Sequence, residues 1–430
     1  MPPHDLTPPD ARAYHRAVTP GARRIERDSA AFRRTTLALF AAGFSTFALL
    51  YCVQPLLPEF AREFQVSAAT SSLAVSLTNG CLAVAMLVVG ALSETWGRKP
   101  LIVTSLALAA LLTAACAAAP SWGALLAVRA VEGVVFAGLP AIAMAYIGEE
   151  MDVTAIGLAM GIYVSGTALG GLAGRVLTAV LADVASWRFA LTVVGGLGLL
   201  SALAVSVLLP ASAHFHSRSL VPARLLGAYR AQLRDPVLAR LFALGFLTMG
   251  AFIALYNYIS FRLLEPPYGF SQAGAGAIFV LYLLGMISSP WSGSMARHLG
   301  QPRTLVLNLA LMLGGAALTI VEPIAVVATG MGLFTFGFFA AHSVTSSWVG
   351  QRAPERKAQA AALYLFFYYL GGSIAGAVGG VFWDRWRWPG VAWFLIVLLA
   401  IALALARALT IHERDAAPPL NGAPASPAGA

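Results

Sequence analysis

GALSETWGRK, residues 90–99, marks the point where one charge-free run, 64–93, gives way to the next, 100–128. GSMARHLGQP, residues 293–302, stands in the same relation to the runs 266–296 and 304–321. Gly90 and Gly97 map onto Gly293 and Gly300 with one shift of 203 residues, and Tyr163, Gly170 and Gly171 map onto Tyr364, Gly371 and Gly372 with a shift of 201. Two near-equal offsets make coincidence a poor explanation. Because a repeat fixes architecture, the chain reads as a duplicated unit, its copies related by an axis along the normal of the membrane they cross.

That a membrane is crossed follows from composition. Of 430 residues, 59% are hydrophobic and 11% charged, with mean hydropathy +0.76, whereas a soluble protein carries about 25% charged residues. A soluble enzyme and a disordered chain are both excluded. The charge-free runs begin at 35 and end at 406, and most reach the roughly 20 residues a spanning helix needs. Splitting the run 100–128 near Ala119, Pro120 and Ser121, and letting the fourth helix carry Arg129 and Glu132, gives twelve spans. The expected fold class is an all-α polytopic membrane protein of two six-helix units. The expected divisions are a tail 1–33, bundles 34–209 and 239–408 joined by a linker 210–238, and a disordered Ala/Pro/Gly-rich tail 409–430.

The net charge of +9 might suggest nucleic acid, but placement gives it another meaning. With the amino end inside, cytoplasmic segments hold 21 of the 28 Lys and Arg, and the opposite side only Arg62, Arg188, Arg262, Arg385 and Arg387. The positive-inside rule then puts both termini in the cytoplasm. No nucleic-acid partner is needed. The Pro- and Arg-rich amino end shows no signal-peptide pattern, and Cys52, Cys81 and Cys116 lie in apolar runs without metal or disulfide spacing. In the linker, Leu225, Leu226, Tyr229 and Leu233 share a face opposite Arg230 and Arg234, as in a helix lying on the membrane surface.

These residues resemble the major facilitator superfamily of secondary transporters over about 30–410. Gly90, Glu94, Gly97, Arg98 and Lys99 are similar to its signature loop between helices two and three, with Glu94 where aspartate is usual. The resemblance implies a conformational latch. Gly157, Gly166, Gly170 and Gly174 on helix five keep the spacing of the family's antiporter signature, although Gly171 replaces its proline and Arg175 its last glycine. Close helix packing through small residues accounts for the same pattern. With Ala341 to Ser343, Ser346 to Gly350 and Tyr364 to Leu370, the chain resembles the YnfM-type branch of bacterial efflux permeases.

Ionisable residues inside a membrane need a partner, water or a function. Arg129 and Glu132, three apart, share a helix face, and they match the family's Arg-x-x-Gln-Gly pattern on helix four, with Glu132 in place of glutamine. The resemblance implies proton coupling there; a static ion pair is the alternative. Arg175, near the outer end of helix five, either snorkels to the headgroups or serves substrate or gate. His342, about six residues or roughly 9 Å from the inner end of helix ten, is a proton-relay candidate or a packing residue. Tyr51, Gln54, Asn79, Tyr256, Asn257, Tyr364 and Tyr368 are candidates for a cavity suited to a neutral or amphipathic solute.

The chain holds only two lysines, Lys99 and Lys357, each preceded by arginine, so no G-x-x-x-x-G-K-[ST] phosphate loop occurs. Catalytic signatures are likewise missing, and no cofactor or metal is implied. The expected function is proton-coupled antiport, exporting a small organic solute by alternating access. Proton-coupled uptake and a non-transporting receptor or assembly protein are the alternatives. The expected partners are a small-molecule substrate, protons and the bilayer, with the protein a monomer.

Overall fold

A computed structural model describes residues 24–214 and 222–416. Among these, no strand occurs, and ten helices are long and apolar enough to cross a membrane. Two further traversals complete the count of twelve. Gln301–Leu318 is a helix of 18 residues between the eighth and tenth spans. The helix Lys357–Ala416 is bent at Arg387, whose φ of 53° and ψ of −147° leave the helical region, and it contains Pro389. Proline there supplies no N–H to the turn before it, so the chain reverses and one 60-residue element serves as spans eleven and twelve. Its last turn reaches Ala416, beyond the expected end at 408; residues 417–430 and 1–23 lie outside the described residues.

The other spans are Ala30–Glu63, Ala68–Val88, Arg98–Ala117, Trp122–Glu150, Val153–Val184, Trp187–Leu208, Pro236–Leu264, Gln272–Leu299 and Ile324–Arg352. Several are broken where the sequence dictates. The first passes from α-helix into a 3-10 turn at Gln54–Leu56, around Pro55, and the fourth is interrupted between Phe136 and Leu139, ahead of Pro140. Between the halves lies the helix Pro222–Arg234. Tyr229 is half-buried and its hydroxyl bonds the Leu87 carbonyl, while Arg230 is exposed. The side chains of Leu225 and Leu226 lie outside the described residues.

The repeat read from sequence is a repeat of geometry. Gly97 and Gly300 have φ, ψ of 87°, 156° and 81°, 156°, a left-handed conformation that glycine adopts without steric cost. Packing repeats as well. A Cβ on Gly170 would stand 1.9 Å from the Phe44 carbonyl oxygen, and one on Gly371 would stand 2.0 Å from that of Phe246. Tyr163 packs on Gly43 as Tyr364 packs on Gly245. Each half therefore closes its first helix onto its fifth at van der Waals limit, the contact that drives helix association where water is absent.

Candidate functional site

Below, the linker side is the end where the chain passes between halves, and the far side is opposite. On the far side the halves meet along two matching seams. The fifth span lies on the eighth so closely that a Cβ on Gly276 would fall 2.3 Å from the Ala179 Cβ, and the eleventh lies on the second so that a Cβ on Gly380 would fall 2.3 Å from the Ala69 Cα. Each seam carries an acidic cap. Asp183, at the end of span five, accepts the backbone N–H of Gln272 at 3.1 Å, and Asp384, on span eleven, accepts those of Ala68 and Ala69 at 3.2 and 3.3 Å. These amides open helices in the opposite half, where the first N–H groups lack intrahelical partners and the dipole favours an anion. Asp183 and Asp384 are 201 residues apart, so the repeat offset was the signal that would have found them.

Toward the linker side the halves separate around a cavity of about 530 Å³, within the usual range for small-molecule sites. Tyr51 and Tyr368, expected as lining residues, line it, together with Arg175 and His342. Gln54, Asn79, Tyr256, Asn257 and Tyr364 do not. Because the far side is closed, Gln54 is buried in the contact between halves, its Nε2 donating to Asn257 Oδ1 at 2.8 Å. Asn79 is buried without a hydrogen bond, facing Gly372 across the second seam. Tyr256 bonds Thr335 at 2.7 Å inside the second half. Tyr282 and Tyr369, which line the cavity, were missed because aromatic residues are equally common in helix packing.

Arg175 does not snorkel. Its helix runs on to Val184, leaving nine residues, or about 13 Å, between the guanidinium and the helix end, and the side chain is 1% exposed. Nε donates to Gln54 Oε1 at 2.6 Å and Nη1 to the Gly171 carbonyl at 2.5 Å. The rings of Tyr51 and Tyr282 stand 4.2 and 4.6 Å from its central carbon. His342 is also deeper than expected. Its helix continues to Arg352, which puts the ring ten residues or about 15 Å inside, with Nδ1 2.8 Å from the Tyr364 hydroxyl and the Tyr368 ring 4.7 Å away.

Arg129 and Glu132 form an ion pair of 2.6 Å with both side chains 0% exposed. Thr113 donates to the other carboxylate oxygen at 2.5 Å. The remaining arginine donors reach the carbonyls of Leu50 at 2.8 Å and Ala74 at 2.9 Å, where spans one and two depart from regular helix. The pair thus joins spans one, two, three and four, behind the cavity wall. Each guanidinium nitrogen and each carboxylate oxygen of the pair has a hydrogen-bond partner, the condition under which a buried charge pair is tolerated.

In the signature loop, Arg98 grips Glu149 at the end of span four through two bonds of 2.7 and 3.1 Å, and Lys99 is half-buried. Gly90 and Glu94 fall in the stretch 89–96, whose side chains lie outside the described residues. On helix five, Gly166, Gly170 and Gly174 press on Phe40, Phe44 and Ala48 of span one, whereas a Cβ on Gly157 would meet nothing within 4 Å.

Residues 39–376 match the model of the Major Facilitator Superfamily. The chain is 46% identical over 381 residues to the uncharacterized MFS-type transporter YybF of Bacillus subtilis, covering 89% of this chain and 94% of that protein. It is 44% identical over 390 residues to the inner membrane transport protein YnfM of Escherichia coli, covering 91% and 93%. In fold it is similar to a bacterial homologue of the human lysosomal transporter Spinster, solved in an inward-facing and occupied conformation. The TM-score is 0.75 at 15% identity, over 90% of this chain and 98% of that one. It is also similar to the nucleoside transporter NupG, with TM-score 0.68 at 14% identity, over 88% and 99%.

Proposed function

The chain belongs to the Major Facilitator Superfamily, and from that premise we propose that this multi-pass secondary transporter is a proton-coupled antiporter exporting a small organic solute from the bacterial cytoplasm. The two moving units are assigned to 34–209 and 239–408, with both termini and the linker 210–238 on the cytoplasmic side. Family membership makes the protein a transporter and not an enzyme, with a small-molecule substrate. The observation that carries the coupling is the Arg129–Glu132 pair, wholly buried yet tied by backbone carbonyls to spans one and two.

Those spans change their relation to the second half when the halves rock. A bend of span one or two at its break, transmitted through the Leu50 or Ala74 carbonyl that holds the guanidinium, draws Arg129 off Glu132 and leaves that acid without its countercharge, and a bare carboxylate in an apolar interior is neutralised by a proton in preference to staying charged. His342, on the cavity wall and bonded to Tyr364, is the second proton-carrying group. The helix-five glycines keep the spacing of the family's antiporter signature, and Gly166, Gly170 and Gly174 hold span five against span one. Arg98, gripping Glu149, supports a latch at the signature loop.

The test is a growth-inhibitor and metabolite panel on cells lacking or overexpressing the protein. Export predicts that deletion raises the intracellular level of at least one organic solute and that overexpression lowers it, the effect vanishing when a protonophore collapses the gradient. A solute that accumulates on overexpression establishes uptake instead. No response in either direction, with a co-purifying partner, establishes a non-transporting role.

A further inference from the structure

We propose that the transported solute is an amphipathic organic anion, a flat aromatic body bearing one carboxylate-like group, and that Arg175 is the residue that reads its charge. The inference rests on the cavity being the transport site and deepens that reading. Among the described residues, Arg175 is the one cavity-lining side chain with a permanent charge, since guanidinium keeps its proton in proteins. It is 1% exposed, and it takes part in none of the ion pairs formed by the described residues. Arg129 shows the contrast: equally buried, it has Glu132 at 2.6 Å.

What surrounds Arg175 solvates the charge without cancelling it. Gln54 and the Gly171 carbonyl accept from it, and the faces of Tyr51 and Tyr282 lie against it. The nearest acid along its own helix toward the far end, Asp183, is engaged with the Gln272 amide. A positive charge held in a low-dielectric site without a countercharge selects an anion and rejects a cation. A carboxylate matches the planar fork of guanidinium. The rest of the wall sets the body of the ligand: Tyr51, Phe252, Phe338 and Tyr368 line it with aromatic rings and Met249 with an adaptable apolar side chain, in keeping with a planar apolar group.

The same arginine also reports occupancy to the other half. Its Nε holds Gln54, and Gln54 holds Asn257 across the seam. An anion competing for the guanidinium therefore pulls on a chain of bonds that joins the halves.

The experiment compares 1-naphthoate, 1-naphthamide and 1-naphthylmethylammonium, three probes of similar body and different charge, by affinity for the purified detergent-solubilised protein. The wild type is expected to bind the naphthoate at least about tenfold more tightly than the amide, the worth of a charged hydrogen bond, and the ammonium most weakly. In Arg175→Gln the preference for naphthoate over naphthamide falls to about one, and Arg175→Lys keeps part of it by restoring charge without the fork. Equal or tighter binding of the amide or the ammonium to the wild type, no binding of naphthoate, or an unchanged preference in Arg175→Gln overturns the proposal. Should Arg175→Gln fail to fold, the wild-type order and the lysine variant decide it. Binding is read without a gradient, so naphthoate selectivity in a protein that moves no solute in proteoliposomes would refute the transport reading and leave the anion site standing.

Discussion

Glu132→Leu is expected to cost about 3–5 kcal/mol of stability, because it strands the guanidinium of Arg129 in a site with 0% exposure. Arg129→Met does the same to the carboxylate. The double variant Arg129→Met with Glu132→Leu is expected to recover most of that loss, since an apolar pair of similar volume neither needs a countercharge nor leaves one wanting. The recovery is incomplete by the bonds Arg129 makes to the Leu50 and Ala74 carbonyls. Thermal unfolding of the three variants in detergent completes the cycle. The double variant then separates structure from coupling: it folds, and it lets solute run down its own gradient without moving protons. A double variant as unstable as either single one would assign the energy to the carbonyl bonds and not to the ion pair.

Asp183→Ala combined with Asp384→Ala is expected to open the far side. Each aspartate satisfies amides at the start of a helix in the opposite half, and a side-chain cap at a helix N-terminus contributes about 1 kcal/mol. Both caps exist only while the far side is closed. Losing two removes about 2 kcal/mol from that state alone, which shifts the ratio of closed to open forms by about 30-fold. Spin labels at Arg62 and Phe270, both on the far-side vestibule, would show a longer distance gaining population. The double asparagine variant, which keeps an acceptor at each site, is expected to shift less. An unchanged distance distribution in the alanine variant would mean that the apolar seams alone hold the far side shut.

How far the sequence carries can be judged from single residues. Gly97 and Gly300 were legible as a repeat because a left-handed backbone at a helix junction leaves glycine as the low-cost choice, and their φ angles differ by only a few degrees. Arg129 and Glu132 were legible because helical spacing alone puts residues three apart within reach of each other. Asn79 and Asn257 were not, because whether a polar residue faces a cavity or a seam depends on which side of the transporter is closed. Arg175 stayed open between the headgroups and a substrate or gating role, since its partner, Gln54, lies 121 positions away on another span. His342 was placed too shallow because its helix runs about four residues further than expected, to Arg352. Asp183 and Asp384 stood at the repeat offset all along, with no chemistry of their own to draw attention until Gln272 and Ala68 appeared opposite them.

Solute-driven proton movement is the most direct test of the whole account. Proteoliposomes of the wild-type protein, loaded with a pH-sensitive dye, would receive a gradient of the solute whose cellular level follows the gene. Coupled antiport predicts that solute leaving one side carries protons the opposite way, with the flux abolished in the stable Arg129→Met, Glu132→Leu variant while solute still moves. Solute transport with no proton flux in the wild type, or a flux of equal size in that variant, would contradict it.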